Sequence, residues 1–514
     1  MPDTLDAALA VLPFRHPGPG GAVAVLRAGE VVGERCWGWA DAARRIPFTR
    51  TTHSLICSIT KQFTCALLLD LFPDPDALDG DVAAAMPLLA RPPSIREMCH
   101  NQSGLRDYWA LAMLCGAPVD RVFGGAEAAW LIGRTRSLHF APGTRYSYVN
   151  QNFRIVSDIV AARAGRPFAE LLRTRILDRA GMPHARLNQD TSAVAGGTIG
   201  YEGTPADGFF PAPNNIVWTG DAGLAATLED MIAWERFIDA TRDDADGLYR
   251  RLSAPTRFRD DTPAPYGFGI RRDKMAGCEI TCHSGGLRGW RSIRLYAPAE
   301  RVSVVVLFNH MADPRPAAEA LFRAALGIER QTPAPTAPGE PWSGRFVEAE
   351  TGLATRLEPL PDGKLRLHYG LSPETLSPAG PDSYAGNGTV LVREPGGLRL
   401  RRAAENLSAP LLPCDGPAST DIEGTWHSTE LDATLTVATS GGVLYAAFSG
   451  ALGEGEMLAL VPHGDDVWLF PCPRALDFGA PGDWTLAFRR DGAGRIASVQ
   501  VGCWLARDVV FIAR

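Results

Sequence analysis

Apolar positions recur along the chain with two different periods, and the change from one to the other divides it. Residues 5 to 13 carry apolar side chains at helical spacing, and 22 to 26 and 30 to 38 read as strands joined by Arg27-Ala28-Gly29, a hairpin turn. From about 58 to 72 the pattern predicts a helix that is apolar almost all round, ended by Pro73-Asp74-Pro75; such a helix sits inside a domain. Helices are expected again at 92 to 99, 110 to 135 and 153 to 164, with polar turns at 101 to 105 and 141 to 152 and a long polar loop at 213 to 221. Thr227 then caps a helix in a box with Asp230. Stretches 266 to 270, 279 to 282, 291 to 296 and 302 to 308 read as strands, and 313 to 326 as a closing helix. Strands, a helical middle, more strands and a last helix make an α+β unit whose two chain ends complete one antiparallel sheet.

Beyond residue 330 the texture changes. Residues 331 to 341 hold four prolines in eleven positions and read as a stiff linker. After it come short alternating strands with Gly, Pro and Asp turns, the sign of small sandwiches or barrels. These strands repeat: 344 to 370 aligns with 424 to 450 without a gap, pairing Gly344 with Gly424, Phe346 with Trp426, Glu350 with Glu430 and Gly370 with Gly450, a period of 80 residues. The expected organisation is a first domain over 1–330, the linker 331–341, one β-barrel over 342–416 and a second over 417–514.

Composition narrows the partners. A net charge of −7 without a basic patch gives nucleic acid or an anionic membrane nothing to bind. The N-terminus has acids where a secretory leader has cations, and no apolar run is long enough to cross a bilayer. Ten cysteines at irregular spacings fit reduced thiols in a cytoplasm, and none is spaced as a zinc ligand pair, so no metal is expected from them.

The candidate chemistry starts at Ser58-Ile59-Thr60-Lys61. Serine and lysine three apart on a helix share a face, and a lysine beside a serine is a known means of activating the hydroxyl. The chain has only three lysines, Lys61, Lys274 and Lys364, among 51 Lys and Arg. Where charge alone suffices it uses arginine; a lysine can give up its proton near neutrality once buried, and arginine cannot. Two further groups lie downstream, Tyr148-Val149-Asn150 at a loop-to-helix junction and His283-Ser284-Gly285 just after an expected strand.

Together these three groups resemble the serine penicillin-recognising hydrolases of the class C β-lactamase type, marked by Ser-x-x-Lys, Tyr-x-Asn and Lys/His-x-Gly. Asn101-Gln102-Ser103-Gly104-Leu105 resembles that family's His-x-Ser-Gly-Leu turn, and Pro142-Gly143 its approach to Tyr-x-Asn. The resemblance spans residues 5 to 328 and implies a β-lactamase/transpeptidase-like domain followed here by two small antiparallel barrels. It implies that Ser58 attacks a carbonyl, that Lys61 or Tyr148 takes its proton, that Asn150 orients substrate, and that the N–H groups of Ser58 and Gly286, beside Gly285, hold the oxyanion. Many members carry lysine at the position of His283 to attract a carboxylate; a largely neutral histidine disfavours that pocket.

A catalytic domain with two β units resembles the D-aminopeptidase branch of this family, including the segment 473 to 484. There a loop of the last domain, near 473–483 here, reaches the active-site mouth, and an aspartate on it binds the substrate amine. By position that residue is Asp477; Asp483 is the competing candidate, though its Pro-Gly-Asp-Trp context reads as an ordinary turn into a strand. The implied activity is release of small N-terminal D-residues such as D-Ala from peptides and amides through an acyl-enzyme, by a homodimer, with β-lactams as candidate inhibitors. The resemblance also implies no metal and no cofactor. The alternatives are an esterase or D-amino-acid amidase on the same scaffold, or a penicillin-binding protein that acylates without turnover.

Overall fold

The structure is a computed structural model that describes residues 4–329, 342–472, 474–477 and 482–513. The proline-rich stretch 331–341 therefore lies outside the described residues, as do 473 and 478–481 of the expected active-site loop.

Helix α1 (Leu5–Arg15), capped by Thr4, precedes the hairpin of β1 (Gly20–Arg27) and β2 (Glu30–Asp41). Ala28 and Gly29 both take positive φ, 53° and 81°, as the turn of a right-twisted hairpin demands. With the short β3 (Ile46–Pro47), these strands join β4 (Arg271–Met275), β5 (Cys278–Leu287), β6 (Trp290–Ala297) and β7 (Val302–Phe308) in one antiparallel sheet of order β4-β5-β6-β7-β1-β2-β3. The expected closure by both chain ends is the pairing of β1 with β7, Gly21 opposite Phe308 through Arg27 opposite Val302. Alternation then assigns the faces. Val23, Val25, Val304 and Val306 pack beneath α1 and the closing helix α8 (Pro314–Leu326), while Ala24, Leu26, Val305 and Leu307 face the helical cluster.

Within that cluster α2 (Thr60–Leu71) is buried at every position from Thr60 to Leu69, which is why its sequence is apolar all round. The short α3 (Ile95–Cys99) starts at a Ser94/Glu97 capping box, and Thr227 and Asp230 form the expected box before α7 (Leu228–Thr241).

Four expectations are corrected. The stretch 110 to 135 is two helices, α4 (Tyr108–Leu114) and α5 (Gly125–Gly133), broken after Gly116 at φ +79°, where a Cβ would lie 2.1 Å from the carbonyl oxygen of Gly453. The helix expected from 153 begins earlier, as α6 (Asn150–Ala164), so Asn150 is its first residue. Residues 266 to 270 form no strand, because Gly269 turns at φ +69° against the backbone of Lys61, where a Cβ would come within 2.5 Å. The fourth concerns β5, which runs on to Leu287, so His283, Ser284 and Gly285 stand inside a strand and not after one.

The β units share a design. Gly344 pairs with Leu357 and Phe346 with Thr355 in the first; Gly424 pairs with Val437 and Trp426 with Leu435 in the second, the same register. The first is a closed barrel of eight strands, from Gly344–Glu348 to Leu407–Pro413. Among the described residues the second does not close. Its ten-stranded sheet is interrupted between Val443–Gly450 and Val461–Gly464, where Leu452 N–H donates to Cys115 O at 3.1 Å and Gly453 meets Gly116. Residues 4–329 contact the second β unit at this gap, and Tyr108, Trp109 and Trp290 share one apolar core with Trp426, Phe448 and Trp484.

Candidate active site

The chain reaches Ser58 from the strand Ser54–Leu55 through a 3-10 turn, Cys57–Ile59, that opens directly into α2. Cys57 takes φ +51°, a left-handed conformation that costs a non-glycine residue about 1 kcal/mol or more. The turn presents Ser58 half-buried at a helix N-terminus. Lys61 is wholly buried, and its Nζ lies 3.1 Å from Ser58 Oγ, 2.8 Å from Asn150 Oδ1 and 2.7 Å from the Asp221 carbonyl oxygen. Burial pulls its pKa down to about 8, against the pull of Asp221, Asp107 and Asp477 in the other direction. A neutral amine has two N–H bonds and a lone pair. With Asn150 Oδ1 and Asp221 O accepting the two hydrogens, the lone pair is left for the Ser58 hydroxyl.

Asn150 is aimed by Asp107, whose Oδ2 accepts from Asn150 N–H at 2.7 Å and from Nδ2 at 2.9 Å. Asp107 also caps α4, and burial raises its pKa to about 6. Tyr148, half-buried, is hydrogen-bonded to Ser58, and its ring centre is 4.9 Å from Lys61 Nζ; burial pushes its phenol well above the usual value. The Tyr148 segment is held by Asn101, which takes φ +55°: its Oδ1 accepts from Val149 N–H and its carbonyl from Ser147 N–H.

His283, buried on β5, donates from Nδ1 to the Ser284 carbonyl at 2.6 Å, so its Nε2, 2.8 Å from Tyr266 Oη, accepts the phenol proton. Burial, with Lys61 nearby, lowers its pKa to about 3. The imidazole is therefore neutral and fully engaged. Gly285 is required by closeness, since a Cβ there would stand 2.2 Å from Ile56 O and 2.4 Å from Ser292 Oγ; Gly286 follows it in β5, opposite Arg291. Asp477, half-buried, accepts from Arg288 N–H through its carbonyl at 3.2 Å, and its charge acts on Lys61, Tyr148 and Cys57. Asp483 instead accepts from Cys472 N–H and closes the base of the loop.

All the expected residues thus converge except Asp483. Those missed from sequence were Asp107, Asp221 and Tyr266. Asp107 carries an N-cap signal, hidden because α4 was expected to start later; Asp221 acts through its backbone, which no side-chain pattern reveals. Among the described residues no cluster of His, Cys, Asp or Glu is placed to hold a metal, and no helix is long and apolar enough to cross a membrane.

The buried histidines have a measurable consequence. His100, His283 and His310 have pKa values lowered to about 4, 3 and 4 by burial. The unfolded chain, with histidines near 6.5, binds more protons than the folded one between these values. Stability is then complete above about pH 6.5 and lost as pH falls, by about 1.4 kcal/mol per unit for each histidine. Urea midpoints measured from pH 7 to 5 should fall steeply; a flat profile would contradict neutral burial.

A beta-lactamase family model matches residues 5–328, and a model described as D-aminopeptidase, domain B, matches 335–512. The chain is 53% identical to a D-aminopeptidase of Gluconobacter oxydans (strain 621H), over 99% of this chain and 98% of that one. It is 45% identical to a D-aminopeptidase of Brucella ovis, again over 99% and 98%. Among solved structures, the octameric penicillin-binding protein homologue from Pyrococcus abyssi superposes with a TM-score of 0.57 at 18% identity, covering 79% of this chain and 98% of the other. A D-amino acid amidase from Ochrobactrum anthropi SV3 does so at 0.53 and 19%, covering 63% and 98%. These two likenesses establish the fold alone.

Proposed function

The chain belongs to the D-aminopeptidase family, and from that premise we propose that it releases small N-terminal D-amino acids, D-Ala among them, from peptides and amides through an acyl-enzyme at Ser58. The observation that carries the reading is the wholly buried Lys61 amine 3.1 Å from the serine hydroxyl. Neutral Lys61 takes the Ser58 proton as Oγ bonds to the substrate carbonyl carbon, and the N–H groups of Ser58 and Gly286 receive the oxyanion. The C–N bond breaks as Tyr148, kept protonated by burial, gives its proton to the leaving amine and regains one from the Lys61 ammonium. Water then reverses these steps and frees the acid. Neutral His283 leaves no fixed cation for a substrate carboxylate, and Asp477 offers a carboxylate to the amine, the charge pattern an aminopeptidase requires.

In this reading residues 1–330 form the catalytic domain, 331–341 the linker, and 342–416 and 417–514 the two β domains. The protein is taken to act as a cytoplasmic homodimer, its ten free cysteines suiting a reducing compartment, and to be acylated by β-lactams only slowly for want of a cation at 283.

Rates test the assignment. For D-Ala-p-nitroanilide, kcat/KM should fall below about pH 8 as Lys61 takes up a proton. It should fall again at higher pH as the substrate amine, with a pKa of roughly 8, loses its charge. For an acyl ester with no amine only the first limb should appear. Equal turnover of D-Ala-p-nitroanilide and its N-acetyl derivative would reject the aminopeptidase reading in favour of an amidase or esterase.

A further inference from the structure

Arg288 occupies the turn between β5 and β6, at the far end of the strand that carries His283 and Gly285. Its side chain is almost buried, 5% exposed, yet it meets two carboxylates: Nε and Nη2 donate to Glu202 at 3.1 and 2.9 Å, and Nη1 donates to Asp120 Oδ1 at 3.0 Å. Asp120 lies in the segment between α4 and α5. The same Oδ1 accepts from Arg474 Nη2 at 2.6 Å, and Arg474 belongs to the loop of the last domain, three residues before Asp477. The Arg288 backbone N–H meanwhile donates to the Asp477 carbonyl, and Asn214 Nδ2 donates to the Arg288 carbonyl at 2.9 Å. The loop is thus tied to residues 4–329 through the Arg474 side chain, which bonds Asp120, and through the Asp477 carbonyl, which bonds the Arg288 N–H, while Arg288 and Asp120 are joined to each other. The two cations and two anions of the network balance one another.

A loop end held at a single point swings; ties three residues apart restrict its orientation. We propose that Asp120 and Arg288, with Arg474, are positioning residues that fix the Asp477 carboxylate for the substrate amine, and so set the preference for free amino termini. This inference rests on the reading of Asp477 as the amine-binding residue. The network touches no reacting atom. Its loss should therefore act on recognition of the amine and not on transfer of the Ser58 proton.

Arg474 and Asp120 are partly exposed, 29% and 59%, so screening moderates their pair, whereas Arg288 and Glu202 are shielded. Arg474→Ala and Asp120→Asn are accordingly expected to raise KM for D-Ala-p-nitroanilide by roughly tenfold relative to KM for p-nitrophenyl butyrate, which has no amine, with kcat for the anilide changing by less than about threefold. Arg474→Lys, which keeps a donor, should recover most of the difference. In an Asp477→Ala background the Arg474→Ala effect should vanish, since the two residues act as one unit.

Equal losses on both substrates, or no change on either, overturn the inference. The parent reading fails separately: if Asp477→Ala treats the anilide and the ester alike, Asp477 does not bind the amine. If Asp477→Ala discriminates between them and Arg474→Ala does not, only the positioning network is rejected.

Discussion

Lys61→Arg keeps its positive charge and loses at least about a thousandfold in kcat on D-Ala-p-nitroanilide, the scale of a general base removed from a hydrolase. Three features of the pocket set this expectation. Lys61 is fully buried, and Gly269 packs against its backbone, so a longer side chain there must displace neighbours. The amine's partners, Ser58 Oγ, Asn150 Oδ1 and the Asp221 carbonyl, converge on one nitrogen, whereas guanidinium offers a flat fork of donors. Arginine, above all, holds its proton at any working pH, so no lone pair meets the Ser58 hydroxyl. The purified variant would be assayed beside a thermal melt, which separates a misfolded chain from an inert one. A melt near that of the parent with turnover within tenfold would refute proton transfer through residue 61.

Ending the chain after residue 416 should cost even more. That truncation keeps the closed barrel but strips Trp426, Phe448 and Trp484 from the core they share with Tyr108, Trp109 and Trp290, exposing a contiguous apolar face that soluble chains rarely carry. It also releases the approach to the site. Asp107 N–H donates to Leu505 O at 2.9 Å, and Arg106 donates to the carbonyls of Arg507 and Asp508. Asp107 is the residue that aims Asn150 at Lys61, so the last hairpin braces the catalytic centre from behind. Loss of soluble protein, or of activity on anilide and ester alike, is expected from size-exclusion and rate measurements. A monodisperse truncated chain with ordinary ester turnover would show that the sheet serves substrate choice only.

The sequence made the chemistry more legible than its surroundings. Ser58 and Lys61 stand out because a chain rich in arginine keeps so few lysines, and Tyr148, Asn150 and His283 because with them they match the motifs of the family the chain resembles. Periodicity failed where backbone met backbone. Gly116 breaks the apparent helix over 110 to 135 to admit Gly453, and Gly269 breaks the apparent strand at 266 to pack on Lys61; neither neighbour is visible from local pattern. Asp221 was equally hidden, as its hydrogen bond with Lys61 is made by a carbonyl oxygen. The repeat at 344 and 424 foretold the shared register but not the gap in the second unit, which depends on what the catalytic domain inserts there.

That repeat also shows where the Asp477 loop comes from. In the first β unit the strands Ser383–Gly386 and Thr389–Glu394 are joined by Asn387-Gly388, the tightest hairpin connection a sheet allows. At the corresponding place in the second unit, between Val467–Phe470 and Trp484–Arg490, the chain runs through 471–483 and brings Asp477 to the catalytic mouth. On the proposed reading, selectivity is lodged in an enlarged connector of a copied module, remote in the chain from the serine and lysine assigned to bond breaking. Such a connector can be rewritten or exchanged for another while the hydrolytic apparatus stays as it is, so what this enzyme accepts and what it does to it are free to diverge independently.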